Sequence, residues 1–133
     1  MTVAIAFLVG RIIVGIYYTF SGFNHFMNLG SMDQYAQAKG VPLPEISVVL
    51  TGILLLVGGI TILLGYYPEI GVLSLVIFFI PVTFIMHNFW VETDAQAKMM
   101  QMVQFMKNMG LMGSALMLLA INKPWAYSVG KKS

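Results

Sequence analysis

Four long apolar stretches, at residues 3–23, 46–65, 70–90 and 103–121, constrain this chain more than any other feature. Each approaches the ~20 residues that cross a hydrocarbon core of about 30 Å. In lipid, only helices and closed barrels satisfy their own backbone groups, and these stretches are too long and too continuously apolar for barrel strands. The chain is 59% hydrophobic and 9% charged, against about 25% charge in a soluble domain. The reading is an all-α integral membrane four-helix bundle. It forms a single domain over 1–133, with helices at about 3–27, 45–65, 69–90 and 94–122.

Boundary signals refine these spans. Pro44-Glu45 and Pro68-Glu69 each suit a first helical turn, where the missing proline N–H costs nothing and the carboxylate meets the positive end of the helix. Tyr66, Tyr67, Trp90, Trp125 and Tyr127 fall at segment ends, as an aromatic belt requires. Pro81 removes one backbone bond within the third stretch and predicts a kink there. In the first connection, Ser31 with Gln34 reads as a capping box and Gly40 as a stop, so a short interfacial helix is expected over 32–39. Thr93 with Gln96 reads as a second capping box, ahead of the fourth helix.

Arg11, Gly15, Tyr18, Gly22 and His25 recur at spacings of four, three, four and three, within an arc of about 80° on the first helix. A guanidinium inside a membrane-length helix must face protein or water, so the other three helices are expected to close around this stripe. Arg11 then ties helices together through backbone carbonyls or Glu69. The glycine pairs 52/59 and 58/65 mark close helix contacts.

Composition also excludes function classes. With no Cys, disulfides, thiolate metal sites and thiol redox chemistry are absent. A net charge of +2, scattered along the chain, is too weak for a nucleic-acid surface. No phosphate loop, dinucleotide fingerprint or nucleophile–base pair is present. No cleavable signal peptide is evident, and the first segment is expected to remain as an anchor. Lys123, Lys131 and Lys132 in the tail nearly balance Lys39, Lys98 and Lys107 on the opposite side; with Lys107 read as embedded and the tail lysines flanking a helix end, both termini are expected in the cytoplasm.

Four crossings gather His25, His87, Asn88, Glu92, Asp94, Lys107 and Asn108 on one face, taken as the outer one. Polar groups at membrane depth are functional candidates. In the fourth helix Gln101, Gln104 and Asn108 share one face, assigned to the bundle interior. Met99, Met102, Met106, Met109, Gly113 and Met117 share another, read as packing. His25 and His87, with Glu92 or Asp94, have no metal-site spacing, and no metal is assigned.

Taken together, Arg11 with Gly15, Ser21-Gly22-Phe23, Gly40-Val41-Pro42, the glycines at 52, 58, 59 and 65, Met86-His87-Asn88-Phe89-Trp90, Phe105-Met106-Lys107-Asn108 and Leu111-Met112-Gly113 resemble the DoxX family of small four-helix membrane proteins. The resemblance covers nearly the whole chain. It implies a link to quinone-coupled membrane redox systems of prokaryotic cell membranes. The expected function is a subunit of a membrane redox complex with a quinone site near its outer face. Tyr18, His25, His87, Lys107 and Asn108 would donate hydrogen bonds there, and Phe89, Trp90 and Phe105 would form the walls. Arg11, Gln101 and Gln104 would be structural polar groups. No intrinsic cofactor is expected, and the chain is not expected to be an enzyme by itself. The alternatives are a non-catalytic assembly subunit of a larger membrane complex and, less strongly, a small-solute transporter. The partners are the lipid bilayer and other membrane subunits.

Overall fold

The computed structural model describes residues 2–130. Lys131 and Lys132, used above to orient the chain, lie outside the described residues. The fold is an all-α integral membrane bundle. Its elements are α1 (Thr2–Met27), α2 (Leu29–Ala38), α3 (Pro44–Leu64), α4 (Pro68–Met86) and α5 (Ala95–Met117), with 3₁₀ turns at Phe89–Val91 and Leu118–Ala120. Among the described residues, three spans are long and apolar enough to cross a membrane: Thr2–Met27, Pro44–Leu64 and Pro68–Val91. α5 is as long but does not join them. Lys98, Gln101, Gln104, Lys107 and Asn108 interrupt its apolar run.

The long helices pack in the order α1, α3, α4, α5, with α2 laid against α3. Glycine sets the closest approach. A Cβ on Gly15 would stand 2.7 Å from Leu63 Cβ, and one on Gly59 would stand 2.5 Å from the Thr19 backbone nitrogen. Gly52 also faces α1, whereas Gly58 receives Leu75 of α4. Gly65 is also a contact glycine, since a Cβ there would stand 2.9 Å from Ser128 Cβ and 3.1 Å from Arg11 Nη1, and it ends α3 in the left-handed region, at φ 67°, where a side chain is strained. The core joins Tyr18 of α1 to Leu55 and Ile62 of α3, Leu75, Phe78 and Phe79 of α4, Ala115 of α5, and Trp125.

Pro44 and Pro68 stand in the first turns of α3 and α4, as the sequence predicts. The two capping boxes are not used. α2 begins at Leu29, almost continuous with α1, and Ser31 Oγ donates to the Asn28 carbonyl instead of accepting. α5 is capped by Asp94, whose carboxylate accepts from the Ala97 N–H at 2.9 Å, a charged acceptor one residue nearer the helix than Thr93. α4 continues through Pro81 and ends at Met86, four residues before the expected stop.

Candidate functional site

Chain direction alternates, so the bundle has two distinct ends. At one, the starts of α1 and α4 meet the end of α3 and the C-terminal segment. Arg11 is 3% exposed. Its Nη1 donates to the Ala126 carbonyl at 2.7 Å and its Nη2 to the Tyr127 carbonyl at 3.0 Å. Its Cζ lies 5.9 Å from the ring centres of both Phe7 and Trp125. The Val129 N–H donates to the Leu64 carbonyl at 2.8 Å. Glu69, the sequence's alternative partner for Arg11, instead accepts from Lys123 at 2.9 Å. The residues after α5 therefore fold back as a plug. Trp125, assigned above to an exposed belt, is 3% exposed inside it, because its ring covers Phe7 edge-on at 5.0 Å.

At the other end, α1 and α4 finish, α2 crosses over and α3 begins. A cavity of about 550 Å³ opens there, within the usual range of small-molecule sites. Its walls are apolar and aromatic: Tyr17, Tyr18 and Phe20 from α1, Val48 and Leu55 from α3, Phe78, Phe79, Pro81 and Val82 from α4. Met32, Tyr35 and Ala36 contribute α2 as a cover. The polar lining is sparse and includes Asn24, His25, His87, Lys107 and Asn108.

These polar groups divide by what they already bond. His25 Nδ1 meets the Ser21 carbonyl at 2.9 Å. His87 Nδ1 meets Gln101 Oε1 at 2.9 Å, and Gln101 Nε2 donates to Tyr35 Oη at 3.0 Å. Lys107 donates to Gln104 Oε1 at 2.7 Å. Lys39 donates to Asn88 Oδ1 at 2.9 Å and lies 3.6 Å from Glu92, which holds the end of α2 to the segment after α4. Two groups are left over. The Tyr18 hydroxyl is buried without a partner among the described residues. Asn108 is 6% exposed and makes no hydrogen bond among the described residues. A buried polar group normally has a partner, so both atoms fit a ligand that brings one.

Of the residues singled out from sequence, Tyr18, His25, His87, Lys107 and Asn108 come together around this cavity. Trp90 and Phe105 do not line it. α4 stops at Met86, and the turn at Phe89–Val91 carries Phe89 and Trp90 onto Phe105, with ring centres 5.4 and 6.0 Å away. The ring walls are instead those of Tyr17, Tyr18, Phe78 and Phe79. Their signal was aromatic density in two apolar stretches, with nothing to separate them from core packing. The amide face of α5 is only partly interior: Asn108 is buried and Gln101 half-buried, but Gln104 is exposed beside Lys107. Glu92 and Asp94 are engaged by Lys39 and by the α5 backbone. Among the described residues no group of three metal-ligating side chains forms.

The model of the DoxX family matches residues 6–88, from α1 to the end of α4. The chain belongs to the DoxX family. The match ends at Asn88, so it covers the α1–α4 frame of the cavity and stops short of α5. This DoxX protein is 27% identical over 125 residues to the inner membrane protein YphA of Escherichia coli K12, covering 94% of this chain and 88% of that one. It is 31% identical over 127 residues to the inner membrane protein YqjF of the same strain, covering 93% and 88%. No solved structure matches at a significant level.

Proposed function

We propose that this protein is a subunit of a prokaryotic membrane redox complex that receives the headgroup of a membrane quinone in the cavity beneath α2, with both termini cytoplasmic. The observation that carries this reading is the pairing of aromatic walls with unsatisfied polar atoms. A quinone ring needs a flat apolar slot and a few hydrogen-bonding groups at its oxygens. Tyr17, Tyr18, Phe78 and Phe79 supply the ring surfaces, and Tyr18 Oη and Asn108 supply polar atoms without a partner among the described residues. The subunit positions the headgroup, and a partner subunit supplies the electron donor or acceptor.

The test is extraction of the protein into native-lipid discs without detergent, followed by solvent extraction and quantification of quinone per chain. A quinone content approaching one per chain, above that of discs holding an unrelated bundle, is expected. Content equal to the control would contradict the reading.

The alternative, a non-catalytic assembly subunit, draws on the outward face of α5. Met99, Met106 and Met117 stand 60%, 64% and 73% exposed on one side of that helix. Adaptable Met side chains suit a contact with another membrane helix. Under this alternative the same discs carry partner subunits and no quinone excess.

A further inference from the structure

The two histidines of the cavity are held in defined tautomers. The Ser21 carbonyl can only accept, so His25 donates to it from Nδ1. In the arrangement of Gln101, Oε1 faces His87 Nδ1 at 2.9 Å while Nε2 donates to Tyr35 Oη; an amide oxygen can only accept, so His87 Nδ1 is the donor there. A neutral imidazole protonated at Nδ1 carries a lone pair on Nε2. No carboxylate bonds either ring, and neither Nε2 has a partner among the described residues.

The remaining polar groups do not oppose this polarity. The Tyr18 hydroxyl and the Asn108 amide can each donate or accept. Lys107 only donates, and it is exposed and bonded to Gln104. The groups of fixed polarity deeper in the lining are therefore acceptors. A quinone offers carbonyl oxygens, which also only accept, whereas a quinol offers two hydroxyl donors.

We propose that the cavity prefers the reduced, hydroxyl-bearing form of its ligand, a hydroquinone, because His25 and His87 present acceptor nitrogens that only a donor can answer. The inference rests on the quinone-headgroup reading above and adds the redox form that is bound.

The experiment measures binding of three probes to the full-length protein in lipid nanodiscs under anaerobic conditions: a short-chain benzoquinol, its benzoquinone and the quinol dimethyl ether. The ether keeps the ring and removes the donors. The quinol is expected to bind about tenfold more tightly than either of the others, the equivalent of one net hydrogen bond. His87→Phe and His25→Phe, which keep a ring and remove Nε2, should each weaken quinol binding more than quinone binding and so narrow the preference for the quinol. Equal binding of quinol and quinone, or tighter quinone, would overturn the inference and leave the headgroup site standing. No binding of any probe would overturn both. The three-probe comparison on the unaltered protein decides the matter even if a variant fails to fold.

Discussion

Arg11 and Ala126 are separated by 115 residues of sequence and joined by a 2.7 Å hydrogen bond from guanidinium to carbonyl. The second bond, to Tyr127, makes the C-terminal segment part of the bundle. Arg11 lies about 14 Å along α1 from its start, at 1.5 Å per residue, a depth at which a bare charge would face hydrocarbon. The returning chain brings two carbonyls and an indole to that depth.

Arg11→Leu should therefore cost about 2–3 kcal/mol, because two charge-assisted bonds are lost and their carbonyls are left unpaired. Thermal unfolding in nanodiscs would register the loss, and chymotrypsin should cleave at Trp125 and Tyr127 faster than in the unaltered protein. Lys123→Ala removes an ion pair whose side chains are 45% and 44% exposed. It should cost less than about 1 kcal/mol. Equal effects from the two changes would count against the plug.

Gly15→Ala should destabilise by about 1–3 kcal/mol, since the new methyl meets Leu63 backbone and Cβ atoms between 2.7 and 3.0 Å away. Gly113→Ala on α5, where nothing lies within 4 Å, should be neutral or stabilising by up to about 1 kcal/mol through helix propensity. Melting curves of the two variants measured side by side test whether the α1–α3 contact sets the frame of the cavity.

Asn108→Leu separates a binding role from a structural one. The amide is buried yet bonds to nothing among the described residues, so its removal should leave the melting temperature within a few degrees of the original. Quinone retention should fall about tenfold if the ligand supplies the missing hydrogen bond. Stability lost in step with retention would assign Asn108 to packing.

Much of the α1 stripe was legible from spacing alone. Arg11, Gly15, Tyr18 and Gly22 are the buried residues of α1, because a 3.6-residue period and the cost of a charge in lipid admit one inward face. The gathering of His25 and His87 at one end followed from helix count and direction. The C-terminal plug was not legible. Trp125 and Tyr127 carry the same belt signal, and only the return of the chain toward Arg11 decides that one is buried. The aromatic walls were legible only in part. The end of α4 at Met86 instead of about residue 90 turns Trp90 toward Phe105, and Phe78 and Phe79, which line the cavity, carry no sequence signal that separates them from core packing. The interruption of α5 by amides and lysines was visible, but its consequence, a helix less apolar than its three neighbours, was hidden by reading all four stretches as equal crossings.

The most direct test of the headgroup site is photolabelling of the protein in native-lipid discs with an azidoquinone, followed by peptide mapping. Label should fall on α1 between Tyr17 and His25 and between Phe78 of α4 and His87 just beyond it, and excess unlabelled quinone should displace it. Label spread along the exposed Met face of α5, undiminished by competitor, would contradict a quinone site in this cavity.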